Sequence, residues 1–460
     1  MPPTFISRRQ RGAVAIMVAL ALLVLLAVVG LVIDGGLAYL VKARLNAAVD
    51  SAALAGARAV PAGNNQDEQA ASARTAASEF FAANIPDNYL LSKPKLVKTD
   101  VTFKSGMVTI DVNAEAPMPV SLMQVLGFTG LTPRAYAQTI RRDLDMAFVV
   151  DTSGSLDPNR AAVRASAKTF LNKFNVTQDR VALMHFAYGT EVDSPINTTN
   201  RGFNRTAMLS KIDTYQFVGG TGSVEGMWNA RNELNRIPLL NRSAMRVIVF
   251  FSDGAPTGIS SYFNMTSDCR EPGVINSSDG SLSGLYELDD TDGVRVSTKC
   301  TLARNGSGVL TNLTKLPDWY NAHNTYETRD DASKREFPIV TTSSTPGFYR
   351  PVTSDLSTKA IAYRNIDRTA RNLAEAVAAK ARDEGIFVFT LGMGAALKSG
   401  SGYDNERGED VLKCMANVAD GPSRCHNPNK PVGMYCYAAT EADLTPCFSR
   451  LASAILRISK

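Results

Sequence analysis

The chain has 460 residues, 45% hydrophobic and 20% charged, an ordinary globular composition with room for about two or three domains. Its formal charge is only +5, and its Lys and Arg residues are scattered, so nothing in it calls for a nucleic-acid partner. Only His185, His323 and His426 occur, without an H-E-x-x-H, a G-x-S-x-G elbow or a P-loop lysine, which argues against an enzyme.

The chain opens with a basic tail, residues 1–12, carrying Arg8, Arg9 and Arg11. Residues 13–33 follow without a charge or a proline. At about 1.5 Å per residue they span roughly 30 Å, the thickness of a bilayer's hydrocarbon core. The arginines place the N-terminus in the cytoplasm and the remainder outside. Lys42 and Arg44 on the far side count against that orientation; the cysteines below count for it. A cleaved signal peptide would have an apolar core of about 7–15 residues and a small-residue cleavage site. This stretch is longer and runs on as helix past Gly35-Gly36, so it is expected to be a retained anchor.

Residues 34–142 are expected to form a helical extension and a small α+β neck. The extension continues to residue 60, with Leu40, Leu45, Val49 and Leu54 among alanines. A second helix covers 66–84 and is broken by Pro86 and Asn88. Residues 95–103 and 107–114 form a hairpin turning at Ser105-Gly106, with Val108, Ile110 and Val112 on one buried face. Residues 119–127 suit a short helix and 133–140 a strand.

Residues 143–460 change character. LDMAFVV (144–150), MRVIVFF (245–251) and IFVFTL (386–391) are short apolar runs suited to strands buried on both faces. Residues 180–186 and 434–438 give further strands. Helical patterns at 158–174, with Asp157 as N-cap and Pro158 in the first turn, and at 223–236, 358–384 and 441–458 separate them. The fold class is therefore α/β, a doubly wound, mainly parallel sheet covered on both faces. Residues 255–355, rich in Ser, Thr, Gly, Asn and Asp, break this rhythm and are read as an insertion with its own small fold.

All six cysteines, Cys269, Cys300, Cys414, Cys425, Cys436 and Cys447, fall in the C-terminal half, and none forms a C-x-x-C pair. An even number in loop-like sequence favours three disulfides and an oxidising compartment. Cys269 with Cys300 is the natural local pair, inside the insertion; the other pairings stay open.

The candidate site lies at strand ends. The first buried strand leads into Asp151-Thr152-Ser153-Gly154-Ser155, whose carboxylate and two hydroxyls can turn to one point at Gly154. Gly219-Gly220-Thr221-Gly222-Ser223 precedes a helix and offers Thr221. Phe251-Ser252-Asp253-Gly254 ends another strand and offers Asp253. Ligands of open α/β sheets bind at the carboxyl ends of strands, and hard oxygens suit Mg²⁺ or Ca²⁺. Asp289-Asp290-Thr291-Asp292-Gly293 lacks the acids a calcium loop needs and reads as a solvated turn, and His185 as a packed core histidine.

Two resemblances add to this reading. Arg11-Gly12-Ala13-Val14-Ala15, the apolar span, Asp34 and residues 47–56 (AAVDSAALAG) resemble the TadE/TadG-like proteins of the bacterial tight-adherence (Flp) pilus machinery. Met17 stands where prepilin-like members carry Glu, which favours a tethered protein over a polymerising subunit. Asp151, Ser153, Ser155, Thr221 and Asp253 together resemble the metal-ion-dependent adhesion site of von Willebrand factor A domains, over about residues 143–458. That site implies a divalent ion with one position open to a partner's Asp or Glu.

The combined expectation is a single-pass inner-membrane protein with its bulk periplasmic or surface-facing. It would bind a protein partner through Mg²⁺ or Ca²⁺ in pilus assembly, anchoring or adhesion, alongside other pilus components. A structural envelope scaffold with a purely stabilising metal, and a hydrolase built around His323 in the insertion, are the rival expectations. The insertion should emerge on the metal's edge of the sheet, where it can cover, extend or replace the binding surface.

Overall fold

The computed structural model describes residues 13–60, 66–104, 107–243, 245–266, 270–278, 281–294 and 300–458. Arg8, Arg9, Arg11, the Ser105-Gly106 turn and Cys269 lie outside them. The chain divides into two compact units, residues 1–141 and 142–460.

In the first unit, an Ala-, Leu- and Val-rich sequence free of proline gives one continuous helix, α1 (Ala13–Ala59). It is the one helix among the described residues long and apolar enough to cross a membrane, and 6% of its most apolar window is buried. Its second half packs against α2 (Gln66–Asn84) and the hairpin β1 (Lys95–Lys104) and β2 (Met107–Glu115). Gly56 lets the two helices approach: a Cβ there would stand 3.1 Å from the Ala73 carbonyl oxygen. Leu45, Val49, Ile110 and Val112 form the core between helices and sheet. After β2 come the two-residue partners β3 (Met118–Pro119) and β4 (Gly130–Leu131), then β5 (Arg134–Arg142), which completes the sheet in the order β1-β2-β5. Between β3 and β4 the expected short helix is a single 3-10 turn, Met123–Leu126.

The second unit carries β6 (Leu144–Asp151), α3 (Arg160–Leu171), β7 (Arg180–Phe186), β8 (Thr190–Ser194), α4 (Arg205–Asp213), α5 (Ser223–Arg236) and β9 (Met245–Ser252). Then follow β10 (Gly258–Asn264), β11 (Arg270–Ser278), β12 (Ser281–Tyr286), α6 (Lys359–Asp383) and β13 (Phe387–Met393). The small ladder β14 (Gly400–Ser401) and β15 (Glu406–Arg407), α7 (Gly408–Ala416), β16 (Tyr435–Ala438) and α8 (Leu444–Ile458) complete it. The main sheet has the order β16-β13-β9-β6-β7-β8, parallel except for the edge strand β8. β6, β7 and β9 are buried along their whole length, as unbroken apolar runs require in a two-sided sheet. One core lies against α3, α4 and α8, the other against α5, α6 and α7.

Three expectations are corrected. The helix read over 158–174 starts later. Gly154–Asn159 is a 3-10 segment, Asn159 precedes α3, and Asp157 bonds the Arg160 side chain instead of capping. The loop must first turn its hydroxyls back over the sheet edge, so the helix cannot begin at Pro158. The insertion is not an independent fold either. Ile259, Phe263, Leu285, Leu313 and Phe337 share one continuous core with α5 and α6. Third, Asp290 and Thr291 in the acidic turn are buried rather than solvated. The Asp290 carbonyl accepts the Gly189 N–H, and its carboxylate closes its own turn on Gly293 N–H.

A buried polar knot joins the insertion to α5. Glu225 accepts hydrogen bonds from Ser260 and Tyr320 and pairs with His323 Nε2 at 2.8 Å, and the His323 ring stacks on Trp228. His323, the centre of the rival hydrolase expectation, is paired with buried Glu225. Burial pushes the Glu225 carboxyl up, but the His323 charge and the hydrogen bonds outweigh burial and hold it below the ordinary range. A depressed acid contributes stability above the unfolded carboxyl's pKa, about 4.3, and loses it as pH falls through the lower folded value. Removing one partner of a buried pair costs about 3–5 kcal/mol. Glu225→Ala should therefore lower the unfolding free energy of the second unit by about that amount, measured in urea at pH 7. The deficit should shrink in acid. A loss below about 1 kcal/mol would show that the knot is not what braces the insertion.

Candidate metal centre

The chain leaves β6 for β7 on one side, and later returns from β8 to β9 on the other. β6 and β9 are therefore neighbours whose following loops part in opposite directions, the crevice in which open α/β sheets bind ligands. Parallel pairing sets Val150 beside Phe251. Asp151 at the end of β6 and Ser252–Asp253 at the end of β9 consequently meet at one edge.

Asp151 is fully buried. Its Oδ1 accepts the Ser153 N–H at 2.8 Å, and its Oδ2 accepts the Ser252 hydroxyl at 2.5 Å. Ser153 Oγ lies 3.2 Å from Ser155 Oγ, and the Ser155 hydroxyl donates to Asp253 Oδ1 at 2.9 Å. The bend at Gly154 is tied to the next loop, its N–H donating to the Gly219 carbonyl at 3.1 Å. Gly219 has φ +86°, a conformation that glycine adopts without strain. In that loop Thr221 is bound both ways to Thr257: its N–H donates to Thr257 Oγ1 at 3.1 Å, and its carbonyl accepts the Thr257 N–H at 3.0 Å. A Cβ added at Gly254 would stand 3.4 Å from Thr221 Oγ1, so the Thr221 hydroxyl lies against the backbone that follows Asp253. Asp151, Ser153, Ser155, Thr221 and Asp253 thus come together from three loops. Ser252 and Thr257 belong to the same constellation and were not singled out from sequence. Both are ordinary strand-end hydroxyls by pattern, and only their neighbours reveal them.

The charge balance is unusual. Burial raises the Asp151 carboxyl to about 6; burial and the Asp151 charge raise Asp253 to about 7. Among the described residues no Lys or Arg pairs with either carboxylate, while hydroxyls surround both. Two acids, three hydroxyls and no internal cation make a hard-oxygen donor set that fits a divalent ion. The nearby group His185, Glu191 and Asp193 is different. Lys211 Nζ sits 2.9 Å from Glu191 and 3.4 Å from Asp193, and Asp193 also takes His185 Nδ1 and the Tyr215 hydroxyl. There the cation is already a lysine, and buried His185 stacks on Tyr215.

The insertion reaches the centre from one side. Tyr286 stacks on Tyr188 at 3.6 Å, and a Cβ at Gly220 would strike the Asn276 side chain at 2.4 Å. It braces the Thr221 loop, while Ser155 remains exposed. Further away, Cys414 pairs with Cys425 and Cys436 with Cys447, each across 11 residues, and Cys300 is also disulfide-bonded.

Residues 12–59 match the family model described as putative Flp pilus-assembly TadE/G-like, and residues 145–277 match the von Willebrand factor type A domain. The chain therefore joins a TadE/G-like N-terminal segment to an A-type domain. Similar solved structures include the pilus adhesin SpaC from Lactobacillus rhamnosus GG, 14% identical, with 79% of this chain and 34% of that chain covered and a TM-score of 0.37. The PilB minor pilin from Streptococcus sanguinis is 15% identical, with 80% of each chain covered and a TM-score of 0.37. The vWF domain of the type V pili tip protein Mfa5 from Porphyromonas gingivalis is 16% identical, with 70% and 98% covered and a TM-score of 0.37. The present chain spans about a third of the SpaC chain. No curated protein matches.

Two measurements test the centre. Metal uptake must displace protons from carboxyls raised toward neutrality, so calorimetric Mg²⁺ or Ca²⁺ affinity should climb as pH rises from about 5 to 8. Proton release should accompany binding; a flat profile would contradict it. Ser252→Ala removes a hydroxyl that orients Asp151 and should weaken metal affinity about 10- to 100-fold without unfolding the domain.

Proposed function

We propose that this chain is a membrane-tethered protein of a tight-adherence (Flp) pilus system, whose A-type domain holds a protein partner through a divalent metal. The observation that carries the reading is the convergence of Asp151 and Asp253 with Ser153, Ser155 and Thr221 at the switch point, where no Lys or Arg among the described residues pairs with either aspartate. The N-terminal match to a pilus-assembly family supports the setting. The α1 helix supplies the tether, with residues 13–33 in the bacterial inner membrane and residues 34–460 on the periplasmic or surface side. Disulfides at Cys414–Cys425 and Cys436–Cys447 agree with that oxidising side.

Asp151, Ser153, Ser155, Thr221 and Asp253 would hold Mg²⁺ or Ca²⁺, which when bound supplies a positive centre that a partner's Asp or Glu can enter. The two aspartates balance a divalent charge, and the hydroxyls add none. Exposed Ser155 marks the side from which a partner would approach. The insertion reaches the Thr221 loop through Tyr286 and Asn276 and would extend the binding surface there.

Crosslinked capture from intact envelopes should recover a partner with the full-length chain, and lose it with chelator or with Asp151→Ala. If chelator lowers the melting temperature but capture persists, the metal is only structural and the scaffold reading takes over.

A further inference from the structure

The apolar span of α1 does not stand alone along its length. The carboxylate of Asp34, one residue beyond the span, is buried and accepts three backbone N–H groups, from Ser121, Leu122 and Met123, at 2.8–3.2 Å. Gly30, inside the span, lies directly under this turn: a Cβ there would come within 2.9 Å of Leu122 Cβ. Leu26 and Ala27, one turn further in on the same helix face, are half-buried while their neighbours on other faces are exposed. Gly30 sits about 4.5 Å and Leu26 about 10 Å inside the end of the span at 1.5 Å per residue. The turn is thus pinned beside the helix at a depth where that helix faces lipid.

The composition and bonding of the turn suit that place. Val125, Leu126 and Phe128 are 48%, 49% and 48% exposed, a cluster of large apolar side chains that water would disfavour. Six backbone N–H groups between Ser121 and Phe128 have partners within the unit. Three go to Asp34, and those of Val125, Gly127 and Phe128 go to Leu122, Gln124 and Met123 carbonyls. The Gln124 side-chain amide donates to the Val120 carbonyl. Irregular backbone tolerates hydrocarbon only when its polar groups are satisfied internally, and here they largely are.

We infer that the Ser121–Phe128 turn is a second membrane contact, a short apolar wedge that enters the lipid interface beside α1 with Val125, Leu126 and Phe128 foremost. Its occupant is the acyl and glycerol region of the leaflet on the side of the folded units. Anchored at two points, helix and wedge, the first unit is held against pivoting about a single helix. The inference rests on residues 13–33 spanning the membrane.

The test uses the full chain in nanodiscs, with Trp introduced singly at Phe128 or at Leu22 and the parent emission of Trp228 and Trp319 subtracted. Lipids brominated at upper or lower acyl positions serve as quenchers. Phe128→Trp should show blue-shifted emission, quenched more by upper-chain bromine, as for a side chain about 5–10 Å into the interface. Leu22→Trp should be quenched more by lower-chain bromine. Quenching of Leu22→Trp without any of Phe128→Trp, or of a parallel Leu126→Trp, overturns the wedge and leaves the anchor standing. Quenching of neither removes the anchor and the wedge together.

Discussion

The larger unit depends on one pairing, β6 beside β9 in parallel register. Because β7 and β8 lie on the far side of β6, this pair is where the winding of the sheet reverses, and the loops beyond it must diverge. The pairing forces two aspartates to one edge of a sheet whose strands are buried on both faces. Burial raises the Asp253 carboxyl, and the like charge of Asp151 beside it raises it further. The surrounding fold accommodates the cost through hydroxyls from Ser153, Ser155 and Ser252, and through a glycine-rich loop that brings Thr221 close. A divalent ion is the species that would turn this repulsion into cohesion.

The insertion is best understood from the same edge. It leaves the sheet directly after Asp253, and its first strand packs on α5, the helix that Thr221's loop begins. The buried Glu225–His323 pair and the Tyr188–Tyr286 stack lock it there. These contacts hold the insertion beside the Thr221 loop and would pre-organise a candidate site whose residues come from three separate loops. The first unit uses a related device on a smaller scale: Asp34 gathers three backbone amides and so holds an irregular turn against a helix.

Much of the architecture could be read from periodicity, and the failures are informative. β7 is legible from its apolar run and α5 from the glycine-rich loop that precedes it, and the structure gives both the expected bounds. The edge strand Thr190–Ser194 has no hydrophobic run, and of its five residues only Thr190 is fully buried, so TEVDS carries no strand signal. α4 and α7 are nine-residue helices, shorter than the window over which a helical period stands out. The start of α3 was misplaced because Pro158 is as compatible with a 3-10 turn as with a first helical turn.

Local chemistry in the sequence determined the apolar span, the buried strands, the mainly parallel sheet and the five oxygen-bearing residues of the candidate centre. Each of these depends on residues close together in the chain, or on a strand end that must face one way. Only the tertiary structure decided that Ser252 orients Asp151, that the insertion shares the domain's core, and that Cys414 pairs with Cys425 and Cys436 with Cys447. It also decided that Asp34 clasps a turn 87 to 89 residues away. The physical reason is that these contacts join groups whose pairing costs nothing locally and is rewarded only when distant segments bury them together.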